Sequence, residues 1–167
     1  MRIRDLLRAA ELRGFDVVLL DTAAGFGGVT EPVVKSSDYV IIPQQAEPLA
    51  ARSIPHMLET LARFRAAGAP VKVAAILLTM VMGDQEMSLR VARELRQMLP
   101  PDLMFKQSIP RLNSFLEASA HGVPVALLRR NPPPEALIFD QIAAELEERV
   151  GLARDREQTH THASLLD

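Results

Sequence analysis

An aspartate at the end of an apolar run is the first residue of this chain whose type and position could do chemistry. The run FDVVLLD ends at Asp21, and Thr22 and a glycine-rich stretch with Gly25 follow it. A carboxylate in this position can hold Mg²⁺, usually through water, beside the phosphates of a nucleotide. Glycine lets the backbone approach a phosphate closely. An aspartate that only caps the next turn would give the same pattern, so this segment alone leaves both interpretations open.

Two further polar segments follow apolar runs. The first is PQQAEP at residues 43–48, and the second begins with Ile109, Pro110 and Arg111. A flat proline ring and a guanidinium could pack against an adenine base. An ordinary connection explains the first segment equally well, and a turn with a surface arginine explains the second.

The apolar runs themselves predict the strands that position these segments. Three runs are clear, at Phe15 to Asp21, Tyr39 to Pro43 and Val71 to Thr79, and Phe105 to Pro110 is a weaker fourth candidate. They are continuous rather than alternating, which is typical of strands buried on both faces of a parallel sheet. In such a sheet a ligand binds outside the carboxyl ends of the strands. The polar segments are therefore expected at the ligand-binding edge.

Segments with a 3.6-residue apolar period lie between the runs and predict helices. Five helices are expected. The first runs from Ile3 to Leu12, the second from Thr30 as N-cap to about Ser37, and the fifth from Phe139 to Val150. The third passes through Ile54, Leu58, Leu61 and Arg65 and begins or kinks at Ser53 and Pro55, and the fourth passes through Val91, Leu95, Met98 and Leu99. This alternation predicts one α/β domain over residues 1–151, with a mainly parallel sheet flanked by helices. Residues 152–167 lose the period and are expected to form a disordered tail, which includes His160 and His162.

Taken together and in this order, the segments resemble the ParA/MinD family of deviant-Walker ATPases. FDVVLLDTAAG resembles the family's apolar run plus DTPPG or DTPAG, SSDYVIIPQQAEPLA resembles ADYVLIPVQPEPFA, AAILLTMV resembles GILLTM, and IPRLNSFLEASAHGVPV resembles IPRNVRLSEAPSHGKPV. The resemblance covers roughly residues 12–150. It implies a P-loop NTPase-like fold and a protein that uses ATP and magnesium to partition plasmids, chromosomes or other cargo.

The resemblance assigns the phosphate side of the nucleotide site to the first segment. Asp21 would be the Walker B aspartate that positions magnesium through water, and Thr22 and Gly25 would line the γ-phosphate side. Gln45 and Glu47 would belong to a loop that faces a partner subunit.

The base side of the site is assigned to two other strand ends. Pro110, Arg111 and Asn113 would lie near the adenine. Thr79 would end the strand whose tip also borders the base.

The sequence departs from the family at its start. Family members open with a strand and a KGGxGKT loop, whose backbone amides and two lysines bind phosphates. This chain has no Gly-Lys pair, and its only lysines are Lys35, Lys72 and Lys106. The chain is therefore expected to be incomplete at its N-terminal side, with no catalytic residues and no ATP hydrolysis in isolation. ATP and magnesium belong to the complete family protein, and whether this chain alone binds either is left open.

Three functional hypotheses follow. The chain is part of a ParA-like partitioning ATPase, or a non-catalytic dimerisation or regulatory module derived from the same fold, or a receiver-type phosphoacceptor domain that uses Asp21 and Thr79. A receiver needs an acidic pair at an earlier strand tip and a lysine at a later tip, and Lys106 lies inside its run. The first hypothesis is preferred. Strand edges left open by the missing strand predict a homo-oligomer or a partner-dependent state.

Charge and composition restrict the other partners. The net charge of -2 and the pI near 6.1 exclude a global positive field for nucleic acid. Arg90, Arg93 and Arg96 recur on one predicted helix face and would be the contact for non-specific DNA, although a solvated helix face is the preferred interpretation. The absence of cysteine fits the cytoplasm. No membrane attachment is expected, because the apolar runs are too short and the tail lacks amphipathic spacing.

Overall fold

A computed structural model describes residues 3–152 of the chain. The described residues form seven helices and two strands, with three short 3₁₀ turns at Pro101–Leu103, Val125–Leu127 and Pro134–Ala136. The elements are α1 (Ile3–Glu11), α2 (Thr30–Ser36), β1 (Tyr39–Gln45), α3 (Pro48–Ala51), α4 (Ile54–Ala66), β2 (Lys72–Thr79), α5 (Glu86–Met98), α6 (Asn113–His121) and α7 (Leu137–Val150). All but the first residue of the predicted tail, including His160 and His162, lie outside the described range.

Two compact units make up the chain, and each combines two separate stretches of sequence. The first consists of Met1–Ile41 and Arg52–Val73, and the second of Ile42–Ala51 and Ala74–Asp167. The single domain predicted for residues 1–151 stays a prediction.

Strands β1 and β2 lie side by side in parallel. In the first unit the Lys72 amide donates to the Asp38 carbonyl at 2.9 Å, and in the second the Ala46 amide donates to the Thr79 carbonyl at 3.1 Å. The side chain of Ile76, in the middle of β2, is fully buried. Both strands were predicted from their continuous apolar runs and are confirmed, as is the α/β class with a parallel sheet flanked by helices.

The weaker fourth candidate, Phe105 to Pro110, forms only parts of a third strand. Parallel bridges join Met104 to Ile76 and Pro110 to Val81. Between them the Lys106 amide donates to the Glu145 carboxylate at 3.0 Å. The segment therefore pairs with β2 and the residues just beyond it only near its two ends.

The strand predicted at Phe15 to Asp21 is wrong for this structure. Residues 15–23 have no regular secondary structure, and none of the described segments pairs with them. Their large apolar side chains are exposed, from 40% at Leu20 to 78% at Leu19. A strand is held by backbone hydrogen bonds to a neighbour, and the apolar run alone does not supply one.

The helix predictions are confirmed for α1, α2, α4, α5 and α7, with shifts of a few residues at the ends. Pro55 lies in the first turn of α4, where a missing amide costs nothing, so it marks the start of the helix and not a kink. The N-cap prediction for Thr30 is wrong, because Thr30 is the first residue of α2 and Val29 precedes it as cap. Helix α6 was not predicted; it ends at Gly122, which has a φ of 65° that favours glycine.

Arg149 connects α7 to other segments of the second unit by hydrogen bonds. Its guanidinium donates to the carbonyl oxygens of Ala74 at 3.2 Å and Met104 at 2.7 Å. It also pairs with Glu145 at 2.6 Å and lies 5.4 Å from the centre of the Phe105 ring. Both charged side chains are mostly buried, so each satisfies the other and the surrounding carbonyls.

Candidate nucleotide site

Asp21, Thr22 and Gly25 lie in the irregular stretch of the first unit. Asp21 and Thr22 are exposed, and Gly25 has a φ of 82°, a left-handed conformation that side chains rarely adopt. Helix α2 anchors the end of this loop, because the buried Thr30 hydroxyl donates to the Ala23 carbonyl at 3.2 Å. The loop therefore keeps its carboxylate and hydroxyl accessible while its far end is held.

The base-side residues belong to the second unit, where the structure brings three of them together. Thr79 ends β2, and the Val81 amide just beyond it donates to the Ile109 carbonyl at 3.1 Å. The Arg111 amide in turn donates to the Val81 carbonyl at 2.9 Å. Pro110 and Arg111 thus lie directly beside the tip of β2, as expected for residues at the carboxyl ends of neighbouring strands.

The remaining base-side residue, Asn113, begins α6 and is exposed, as is Arg111. Thr79 and Pro110 are half-buried. Between Thr79 and Val81, Met80 has a φ of 54°, which is uncommon for a residue other than glycine. Backbone conformations of this kind are found preferentially at functional sites.

The described lysines belong to other segments of the chain. On α2, Lys35 pairs with Glu31 and its ammonium is 4.6 Å from the centre of the Phe64 ring. At the start of β2, Lys72 lies 6.0 Å from the Tyr39 ring, and the exposed Lys106 follows the residue that hydrogen-bonds to the middle of β2. Neither residues 21–28 nor the tip of β2 contains a lysine.

The donor set fits magnesium that arrives with a nucleotide. Mg²⁺ prefers oxygen ligands, keeps several waters and is commonly bound by one or two carboxylates plus substrate phosphates. Asp21 can supply such a carboxylate. Among residues 3–152 no cluster of three or more histidine, aspartate or glutamate side chains could hold a metal by itself.

The three arginines predicted to contact DNA do not share one environment. Arg96 donates to the carbonyls of Phe105 at 3.2 Å and Lys106 at 3.4 Å, so part of the hydrogen-bonding capacity of its guanidinium is already used within the chain. Arg90 lies 3.6 Å from Glu94, whereas Arg93 is exposed. DNA binding through these residues stays a prediction.

A cavity of about 370 Å³ lies in the second unit, beyond the carboxyl ends of β1 and β2. One wall is formed by residues 46–49, which follow β1, and the other by Met82, Gln85, Met87 and Ser88 around the start of α5. None of the predicted nucleotide-binding residues lines it. The polar segment at residues 43–48 was noted in the sequence, but its pairing with residues 82–88 was not predicted, because the two walls are far apart in the chain.

Comparison with known proteins gives relatives of one kind. The chain is 30% identical over 151 residues to the chromosome-partitioning ATPase Soj of Thermus thermophilus, covering 89% of this chain and 58% of that protein. It is 27% identical over 128 residues to the sporulation initiation inhibitor protein Soj of Bacillus subtilis, covering 76% of this chain and 50% of that protein. Protein IncC of Escherichia coli is 27% identical over 132 residues, and the match covers 78% of this chain and 35% of IncC.

These homologues of the chain are ParA-like ATPases. The chain spans roughly half the length, or less, of these relatives. No model of a protein family matches it. Within residues 3–152, none of the helices combines the length and apolar character needed to cross a bilayer.

Solved structures agree on the fold. The ATP complex of a McdA variant from Cyanothece superposes with a TM-score of 0.60 at 16% identity, over 74% of this chain and 46% of that one. Cobyrinic acid a,c-diamide synthase from Mycobacterium smegmatis, with a bound ATP analogue and magnesium, superposes with a TM-score of 0.60 at 25% identity. The match covers 92% of this chain and 54% of that one. The chain therefore has the α/β fold of these proteins.

Proposed function

We propose that this chain is the part of a ParA-like partitioning ATPase that supplies the magnesium aspartate and the base-side loops of the nucleotide site. The complete protein would position a plasmid, a chromosome or another cargo in the cytoplasm. The single observation that carries the proposal is the meeting of Thr79, Pro110 and Arg111 at the tip of β2, in a chain that is related to two Soj proteins.

Each segment has a defined task in this proposal. The exposed Asp21 carboxylate would hold water on the ion, and Thr22 and Gly25 would line the terminal phosphate. When bound, magnesium would neutralise phosphate charge and keep the nucleotide in place. Arg111 and Asn113 would orient the base, with Pro110 and Thr79 behind it.

A nucleotide also needs positive charge around its phosphates, and the described loops of this chain offer no lysine for that purpose. The phosphate-binding loop would be contributed by a segment that lies outside this sequence. ATP hydrolysis is accordingly assigned to the complete protein and not to this chain alone.

The exposed apolar residues between Phe15 and Leu20 support a partner-dependent state. Five large apolar side chains in this short stretch are 40% to 78% exposed, which is costly in water. We propose that a second copy or another polypeptide covers them.

A chimera tests the proposed function. The segment of Thermus thermophilus Soj that carries its phosphate-binding loop is fused ahead of residue 12, and magnesium-dependent ATP hydrolysis is measured. The chimera is expected to hydrolyse ATP, and Asp21→Ala is expected to lower the rate by about a hundredfold, because the magnesium that neutralises the phosphates would lose the carboxylate that positions it.

Asp16→Ala is the matched control, since Asp16 is an exposed carboxylate of the same stretch. It should leave the rate unchanged. A chimera that folds and binds no nucleotide would contradict the proposal and favour a non-catalytic dimerisation or regulatory module instead.

A further inference from the structure

Phe26 differs from every other residue of the long irregular stretch before α2. Across residues 11–29 each residue is exposed except Phe26, which is half-buried. Its ring meets the ring of Phe64 on α4 in an edge-to-face arrangement, with the ring centres 5.7 Å apart and the ring planes at 86°. Aromatic pairs prefer this geometry. The loop of residues 21–28 is therefore attached to the first unit by one side chain in its middle.

The ring that receives Phe26 is contacted by two helices. Phe64 is itself half-buried on α4. The Lys35 ammonium on α2 lies 4.6 Å from the centre of the same ring and also pairs with Glu31. A cation at this distance is attracted by the electrons of an aromatic ring. The ring contact therefore joins the loop to α2 and α4, and all of these segments belong to the first unit.

The backbone is bent on both sides of Phe26. Gly25 has a φ of 82° and Gly28 a φ of 55°, and both values lie in the left-handed region that favours glycine. A Cβ added at either glycine would meet nothing within 4 Å, so the backbone conformation, and not lack of space, is what favours glycine here. The two bends flank the one residue of the loop whose side chain turns towards the protein.

Hydrogen bonds hold the loop on the other side of Gly25. The Thr30 hydroxyl donates to the Ala23 carbonyl at 3.2 Å, and the Thr30 amide donates to the Gly27 carbonyl at 3.1 Å. Gly25 thus lies between Ala23, which is held by a hydrogen bond, and Phe26, which is held by ring packing. The backbone that follows Asp21 is restrained in this way, although the Asp21 side chain is exposed.

We propose that Phe26 is a positioning residue for the nucleotide site. Its packing against Phe64 holds the loop with Asp21, Thr22 and Gly25 in one conformation before a nucleotide arrives. Glycine-rich backbone otherwise samples many conformations, and groups that act on a phosphate have to be held in place. Phe26 has no polar side-chain atom for an ion or a phosphate, so it acts through the loop. The inference rests on the proposed function, in which Asp21 holds the magnesium.

Tryptophan fluorescence tests the packing in the full chain. The sequence contains no tryptophan, so Phe26→Trp introduces a single reporter. Val29→Trp is the matched control, because Val29 follows the same loop and is 76% exposed. The reporter at position 26 is expected to emit further to the blue and to be quenched less by acrylamide than the reporter at position 29.

Removal of the receiving ring completes this experiment. Phe64→Ala, added to each reporter, should remove most of the protection at position 26 and leave quenching at position 29 unchanged. Circular dichroism shows whether these chains remain folded, and Phe64→Leu is the milder replacement if Phe64→Ala does not fold. Equal quenching of the two reporters, or protection at position 26 that ignores the loss of the Phe64 ring, would overturn the proposal.

The Soj chimera tests the effect on the reaction. Phe26→Ala is expected to lower kcat by about tenfold and to leave KM for ATP within about twofold, because the loop loses its position while the base side of the site is unchanged. Phe26→Tyr keeps the ring and should restore most of the rate, whereas Val29→Ala should not change it. The folded fraction of each chimera, taken from thermal unfolding, corrects kcat for any loss of stability.

The outcomes distinguish the role of Phe26 from the proposed function. An active chimera in which Phe26→Ala and Val29→Ala have equal corrected rates would overturn the positioning role alone. A chimera that folds and binds no nucleotide would contradict the proposed function, and the positioning role with it. A loss of rate in Phe26→Ala that Phe26→Tyr restores, together with protection that depends on Phe64, is the expected result.

Discussion

Arg149 shows that the contribution of one ion pair to the stability of the fold depends on the burial and the other hydrogen bonds of its side chains, and not only on the pairing of charges. Arg149 and Glu145 are four residues apart on a helix, as are Arg90 and Glu94. The first pair has side chains 19% and 9% exposed, whereas both side chains of the second pair are 57% exposed. Desolvation and the extra carbonyl acceptors make the first pair costly to break.

Substitution of each arginine by methionine tests this difference. Arg149→Met is expected to lower the free energy of unfolding by about 3–5 kcal/mol, because it leaves a buried carboxylate without its cation. Arg90→Met, the matched control, should change it by less than about 0.5 kcal/mol. Urea unfolding followed by circular dichroism measures both. Equal losses for the two variants would show that the buried network contributes nothing beyond an exposed pair.

Single residues also show what the sequence could not predict. The acceptors of Arg149, at Ala74 and Met104, are backbone carbonyls far away in the chain, so no local pattern points to them. The N-cap prediction for Thr30 followed a sound preference of threonine, whose oxygen accepts an amide hydrogen bond as a cap, but in the structure Thr30 is inside the helix and its hydroxyl donates to the Ala23 carbonyl.

At the scale of elements, sequence predicted best where burial decides the pattern. The run of β2 is continuous and apolar because both of its faces are largely covered, whereas β1 is exposed at Tyr39, Pro43 and Gln45. Each strand was found within a few residues of its predicted bounds. The meeting of Thr79, Pro110 and Arg111 also follows from a general rule, that neighbouring parallel strands end at one edge. Helix α6 was missed because the proline and polar residues before it are typical of a loop.

The apolar run at Phe15 to Leu20 has the sequence of a buried strand and no strand partner among the described residues. We expect light scattering to give a mass larger than that of a monomer, because association with another chain would bury this exposed apolar run. Leu19→Lys should lower that mass, since Leu19 is 78% exposed and its replacement costs little packing.

Leu12→Lys serves as the control for this prediction. Leu12 is 83% exposed and precedes the run, so a charge there should leave the mass unchanged. A wild-type chain that is a stable monomer at all concentrations would contradict the prediction.

At the scale of the whole molecule, the chain combines an acidic balance with loops that resemble those of a nucleotide site. The net charge is -2, and neither residues 21–28 nor the tip of β2 contains a lysine. A triphosphate needs positive charge around it, and these segments supply no lysine for that purpose. The central claim is therefore that the chain holds the aspartate and base side of the site and depends on another segment for the phosphates.

Titration calorimetry of the full chain with ATP and magnesium tests this claim most directly. We predict no binding tighter than roughly millimolar, because the sequence contains no Gly-Lys pair of the kind that binds phosphates in such a loop. Micromolar binding that Asp21→Ala abolishes would contradict the claim, since it would mean that these loops suffice to bind the nucleotide.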